Sequence, residues 1–228
     1  MSALYPLQKS YKRFQFVLKA LNDCNTPESL EKLLNSQHYK NINECVDSDN
    51  GKTLLHMCND KKTALLIDSG INLNQKDSSG RTALFIAGEK KAKALIKAGA
   101  DITITDNEGD NAISFYQGTI SLKKIKKLVE SGLDPNHKNN KGQNLMDRLM
   151  HERDYAFMNY DTMIELPKYG VFFGNSPRVE KVPEKVVEKM RKNLMEYERG
   201  QLVLASYEKN ILQKDKLVSE CNKKNIRL

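Results

Sequence analysis

Ser48-Asp49-Asn50-Gly51-Lys52-Thr53-Leu54-Leu55-His56 is the first of several stretches written in one frame. Asp77-Ser78-Ser79-Gly80-Arg81-Thr82-Ala83-Leu84 and Asp106-Asn107-Glu108-Gly109-Asp110-Asn111-Ala112-Ile113 repeat it, and Asn139-Asn140-Lys141-Gly142-Gln143-Asn144-Leu145-Met146 follows. Gly51, Gly80 and Gly109 are 29 residues apart, and Gly142 comes 33 residues after Gly109. A fixed period in this range marks a solenoid, whose units cannot bury their own apolar faces and must stack on neighbours. Such a stack is mainly a surface for holding another macromolecule.

Each position in the frame has a physical reason. Gly51, Gly80, Gly109 and Gly142 sit in polar tetrads where a tight turn calls for positive φ. Thr53, Thr82, Asn111 and Asn144 follow two residues later and can each accept a bond from an orphan N–H as a helix N-cap. Leu55, Leu84, Ile113 and Met146 are then core positions of a first, inner helix. Gly70, Gly99, Gly132 and Gly170 are placed to close a second helix in the left-handed conformation. Asn74, Thr103 and Asn136 fall six residues before the next turn glycine, where a strand-like arm of a connecting hairpin is expected.

The frame D-x-x-G-x-T-x-L-H, then an apolar run, then G-A-D, resembles the ankyrin repeat. Gly51-Lys52-Thr53-Leu54-Leu55-His56 and Ala94-Leu95-Ile96-Lys97-Ala98-Gly99-Ala100-Asp101 are its most faithful stretches. The resemblance implies an all-α solenoid of four or five helix pairs joined by hairpin loops, with helical caps. It also implies a concave groove lined by hairpin tips and the exposed edges of inner helices. Carried onto this chain, the partner-binding positions are Asp49, Asn50 and Lys52; Ser78, Ser79 and Arg81; Asn107, Glu108 and Asp110; and Asn140, Lys141 and Gln143. Tyr116 joins them, because Phe115-Tyr116 stands where the family places small or aliphatic residues. Arg81, Glu108 and Tyr116 form the expected contact centre, with Arg81 foremost because arginine combines stem contact with bidentate bonds.

The chain also departs from the family. Its 29-residue units are about four residues shorter than the usual one, so the helices or their link must be trimmed. His56 matches the family's structural histidine, but Phe85, Ser114 and Asp147 replace it in later units. Those losses predict weaker ties between repeats and a softer C-terminal half.

Residues 1–46 are expected to form an N-terminal cap or degenerate repeat. Phe14, Val17, Leu18 and Leu21 keep helical spacing, and Thr26-Pro27 starts a second helix carrying Leu30, Leu33 and Leu34. Repeats are expected over 47–176, and a helical extension over 177–228. In that extension Val187, Met190, Leu194 and Tyr197 recur at spacings of 3, 4 and 3, followed by a cluster from Leu202 to Leu212. Its expected role is a cap folded onto the last repeat; the other reading is a partner-binding or dimerising helix over 183–212.

Composition limits the functional classes. The 228 residues carry a formal net charge of +8, with +5 in residues 178–228, +4 in 120–141 and −1 in the remainder. No apolar run of membrane-spanning length occurs, and Lys9, Lys12 and Arg13 interrupt any signal-peptide core. Cys24, Cys45, Cys58 and Cys221 form no C-x-x-C pair and read as free thiols of a cytoplasmic protein. His151-Glu152 opens like a zinc-protease helix, but Tyr155 stands where the second histidine belongs. No phosphate-binding glycine loop or nucleophile elbow is present, so no enzyme activity, metal or cofactor is expected.

Lys123-Lys124-Ile125-Lys126-Lys127 reads as a solvated convex helix face. With no aromatic residues among these lysines there is no base-stacking platform, and a protein rather than a nucleic acid is the expected partner. The alternative is a nucleic-acid or anionic-surface binder acting through residues 120–141 and the basic C-terminal helices. The Asn- and Lys-rich composition resembles that of proteins from AT-rich genomes, including intracellular bacteria and viruses. There, ankyrin proteins act as adaptors, as inhibitors, as effectors in the host cytosol, or as immunity proteins that neutralise a toxin.

Overall fold

The computed structural model describes residues 4–37, 39–114, 121–151, 160–171, 183–199 and 201. Over these residues the chain is a stack of helix pairs, with no strand and a single isolated bridge between Val46 and Thr53. The first pair is α1 (Leu4–Ala20) and α2 (Pro27–Ser36), and the second is α3 (Leu54–Met57) and α4 (Asp60–Asp68). The third is α5 (Ala83–Ile86) and α6 (Glu89–Lys97). Next come α7 (Leu122–Glu130), α8 (Leu145–His151), α9 (Tyr160–Glu165) with a 3-10 turn (Leu166–Tyr169), and α10 over 184–199. Consecutive outer helices α2, α4, α6 and α7 pack side by side, as do the inner helices α3 and α5.

The core forms one continuous layer from Phe14 and Val17 through Leu55, Leu66, Leu84, Leu95 and Leu128 to Met146, Leu166 and Met190. Leu55, Leu84, Ile113 and Met146, the expected inner-helix residues, are all buried in it. All eight predicted glycines adopt positive φ, between 69° and 94°. At Gly80 this freedom is needed twice, because an added Cβ would lie 2.7 Å from the backbone nitrogen of Asn107 on the next hairpin.

The cap positions divide. Asn144 caps α8 with its side chain, Oδ1 accepting from Asp147 N–H at 2.9 Å, and Asn111 Oδ1 accepts from Ser114 N–H at 3.0 Å within a turn over 112–114. Thr82 makes no side-chain capping bond. At Thr53 the backbone N–H donates to Nδ1 of His56 at 3.1 Å, and the hydroxyl lies 2.9 Å from the same nitrogen. With Nδ1 accepting, Nε2 carries the proton and donates to Arg81 O at 2.9 Å, so His56 ties its unit to the next. Burial then lowers the pKa of the imidazole, against the raising effect of the Arg81 carbonyl bond.

The expected strand-like arm is instead a chain of side-chain turns. Asn74, Thr103 and Asn136 donate backbone N–H groups to Oδ1 of Asn72, Asp101 and Asp134 at 2.8–2.9 Å. Short polar side chains satisfy these backbone N–H groups locally.

The missing residues of the 29-residue unit come out of the inner helix and its link. The helices α3 and α5 are single turns of four residues, and only Cys58-Asn59 and Ala87-Gly88 separate them from α4 and α6. Such abrupt ends strand carbonyls. Lysines on the next unit's outer helix meet them: Lys91 Nζ donates to Cys58 O at 3.0 Å and Lys124 Nζ to Phe85 O at 2.6 Å, and Lys62 Nζ makes the same kind of bond to Cys24 O, beyond the longer α1, at 2.6 Å. Lys91 and Lys124 are buried. The reading of the lysine run as wholly solvated therefore fails at Lys124, and burial pushes that ammonium down to about 8.

These bonds also remove the stated reason for a soft C-terminal half. Where later units lack His56, Lys124, the Asn111 side-chain amide (to Asp134 O, 3.1 Å) and His137 (Nε2 to Gly109 O, 2.8 Å) cross between units instead.

The C-terminal helix α10 lies against the last unit. Met190 is buried, Asn193 donates to Ile164 O at 2.6 Å, and the Tyr197 hydroxyl occupies the space a Cβ on Gly170 would need, 2.8 Å away. Over 184–199 the extension thus packs on α9 and the 3-10 turn that follows it. The cluster from Leu202 to Leu212 and the stretch Glu152–Asn159 lie outside the described residues.

Candidate functional site

The candidate binding face is built from the hairpin tips and the inner helices beneath them. Each hairpin closes on an anchor residue whose backbone N–H donates across the turn: Asp47 to Lys52 O, Asp77 to Arg81 O, Asp106 to Asp110 O and Asn139 to Gln143 O, at 2.8–2.9 Å. The first anchor is Asp47 rather than Ser48, so the first turn is one residue longer than the shared frame indicates. Oδ1 of every anchor also accepts a bond inside its turn, for example from Asp49 N–H and Ser79 N–H. The tips are thereby rigid.

Successive tips are joined to one another. Ser78 donates its N–H and hydroxyl to Asn50 O at 2.9 and 2.7 Å. Asn107 donates its N–H to Ser79 O and its side-chain amide to Ser78 O, both at 3.0 Å. Asn140 likewise reaches Glu108 O at 2.9 Å and Asn107 O at 3.3 Å. Ser78, Asn107 and Asn140, expected as partner-binding residues, thus hold the tips in line, and Asn50 is the acceptor that starts the series.

Arg81 is folded onto its own turn, not projected outward. Its guanidinium donates to Asp77 Oδ2 at 3.0 Å and to Ser79 Oγ at 3.1 Å, and its side chain is only 17% exposed. Burial alone would raise Asp77, but bonds from the Arg81 backbone and guanidinium outweigh it and hold the carboxyl low. At Asp106 the balance reverses: burial dominates, Glu108 adds repulsion, and the carboxyl is raised. The residue after the glycine explains the difference, because Asp110 stands where Arg81 does one unit earlier.

Asp110 must be removed from the exposed set. It is 1% exposed and ion-paired with Arg148 of α8, whose guanidinium provides the counter-charge its hairpin lacks. Arg148, partly exposed and held by this pair, is a candidate contact residue that the frame did not reveal, since the frame ends two residues into α8. Met57 is another: it is 41% exposed at the end of an inner helix otherwise sealed in the core.

The remaining exposed positions are Asp49, Glu108 and Lys141, with Lys52, Ser79 and Gln143 half-exposed. Glu108 and Lys141 face each other across adjacent tips at 3.7 Å. Tyr116 lies outside the described residues. The face therefore combines polar tips of both signs with one thioether, and among its described residues nothing makes a nucleophile–base pair. Among the described residues no three His, Cys, Asp or Glu side chains gather as a metal-ligand set. Cys24, Cys45 and Cys58 are free and buried, and burial pushes the Cys45 thiol up to about 12. No helix among the described residues is long and apolar enough to cross a membrane.

Residues 17–106 match the family described as ankyrin repeats, in three copies. The match begins within α1, inside the helix pair expected to be a cap or degenerate repeat, and ends at the third hairpin. No curated protein matches the chain. Ankyrin repeats are in general protein-interaction modules without catalysis of their own.

Proposed function

Because residues 17–106 belong to the ankyrin-repeat family, we propose that this chain is a non-catalytic adaptor or inhibitor that holds one protein partner against its hairpin tips. The observation that carries this reading is the tip-to-tip hydrogen-bonded series from Asn50 to Asn140, which holds the tip backbones in line before any partner arrives. Preorganised contacts lose little conformational entropy on binding, so modest polar groups can hold a partner firmly. Lys52, Met57, Glu108, Lys141 and Arg148 are the side chains assigned to contact it. The action is occupancy: the partner is blocked, recruited or neutralised in the cytoplasm, as an effector or an immunity protein would do.

The test is capture of partners from nuclease-treated lysate by the intact chain and by a Lys52→Glu, Glu108→Lys, Lys141→Glu variant. These exposed or half-exposed tip residues can be changed without disturbing the core, which circular dichroism would verify. A stoichiometric protein held by the intact chain and lost by the variant is the expected result. Equal retention by both would refute the assignment of the tips.

A further inference from the structure

The fold gathers charge that the sequence separates. The helices α6 and α7 are divided by 24 residues in the chain yet pack side by side, and together they hold eight lysines against Glu89 and Glu130. Their net charge of +6 is most of the chain's +8. In sequence windows this concentration is hidden, because α6 falls within a remainder that sums to −1.

The two carboxylates do little to quench it. Glu89 meets Lys123 at 3.7 Å, while Glu130 is shared between Lys126 at 3.9 Å and Lys127 at 3.7 Å. All are solvent-exposed pairs, which contribute weakly. Among the described residues Lys90, Lys93 and Lys97 have no carboxylate partner, and all three are exposed. Beneath this face Lys91 and Lys124 are bonded to carbonyl oxygens rather than to acids, so their charge is not cancelled either.

We propose that the outer face of α6 and α7 is a second binding surface, distinct from the hairpin tips, that takes the phosphodiester backbone of a nucleic acid. Lys90, Lys93 and Lys97 recur at i, i+3 and i+7, so they rise about 10 Å along α6, and the α7 lysines stand one helix spacing, about 8–10 Å, away. That patch spans about three phosphates of one strand of a duplex. Lysine presents a compact point charge suited to phosphate attraction, and no arginine fork or exposed ring lies on either helix to read bases. The contact is therefore independent of sequence. A lipid surface fits less well, because among the described residues the exposed large apolar side chains are Tyr11, Phe16, Met57 and Met195, none of them on α6 or α7 and so none placed to insert. The site also differs from one built on residues 120–141 and the C-terminal helices, since half of it belongs to α6.

The test is fluorescence anisotropy of a mixed-sequence DNA duplex of about two helical turns, titrated with the full chain at several salt concentrations. About four phosphate contacts give a logarithmic salt slope near −3.6, a loss of roughly 150-fold between about 50 and 200 mM. A Lys90→Gln, Lys93→Gln, Lys97→Gln variant should reduce the slope to about −1, a loss of only about fourfold. The charge-matched Lys185→Gln, Lys189→Gln, Lys192→Gln variant on α10 should keep the steep slope. The proposal is overturned if the duplex is not bound at low salt, or if both variants flatten the slope equally, which would indicate bulk charge. It is also overturned if vesicles containing phosphatidylserine are bound and the duplex is not.

Discussion

Replacing Lys91 with methionine sets two opposing effects against each other. Lys91 is 4% exposed, and its ammonium has no acidic partner among the described residues, so removing the charge relieves a desolvation cost. Methionine keeps most of the stem's packing. Against this, Cys58 O loses the 3.0 Å bond that closes the one-turn helix α3. A hydrogen bond to a charged donor contributes about 1.5–3 kcal/mol, and a buried acceptor left bare costs about 1–3 kcal/mol. Because the trimmed link gives that carbonyl no alternative donor, the second effect should win, for a net loss of about 2 kcal/mol. In a chain of this size that corresponds to a drop in Tm of about 4–8 °C. The comparison is Lys90→Met, one residue away and exposed, which should change stability by less than about 0.5 kcal/mol. Urea and thermal unfolding followed by circular dichroism provide the assay. If Lys91→Met proves as stable as Lys90→Met, the lysine is a tolerated burial, not a structural bond, and the account of the short repeat is wrong.

Three further outcomes are expected. Lys124 is pushed down to about 8 from an ordinary 10.5, so between those pH values the unfolded chain binds a proton that the folded chain has released, and stability from this group rises with pH. Cys45, raised to about 12, acts in the opposite direction above pH 9, so the readout is the stability difference between wild type and Lys124→Met, and a flat difference would refute the assignment. His56 has a lowered pKa, so its contribution should be lost as pH falls below 6.5, and His56→Asn should remove that acid sensitivity in unfolding experiments. Gly80→Ala should cost more than Gly70→Ala: both have positive φ, at about 1–2 kcal/mol for an ordinary side chain, but only at Gly80 does a neighbouring tip crowd the new methyl group. Equal unfolding midpoints would show that the tips do not press together.

How far the sequence could be read depended on the range of each interaction. The glycines, the asparagine caps and the inner leucines declare themselves within a few residues, because turn geometry and helix periodicity are local. The helix over 184–199 was equally legible from Val187, Met190, Leu194 and Tyr197. The roles of Arg81 and Asp110 were not, since both are settled by partners: Arg81 by its own anchor Asp77, and Asp110 by Arg148 in a later helix. Lys124 was misread, and Lys91 not singled out, because lysine is so seldom enclosed. Yet a signal was present. Lys62 and Lys91 are 29 residues apart, as are Gly51 and Gly80, while Lys124 stands 15 rather than 11 residues after its own turn glycine, Gly109; a purely solvated lysine has no reason to keep the period.

That shared interval has a consequence for how such a chain can grow. Cut at any point, a 29-residue segment from the second to the third unit contains one tip donor, one tip acceptor, one ammonium and one helix-end carbonyl. Inserting a second copy would leave every group matched, with the new lysine meeting the old carbonyl and the old lysine the new one. The unit is therefore a self-complementary cassette, and gene duplication could lengthen the array by whole repeats without orphaning a polar group at either junction.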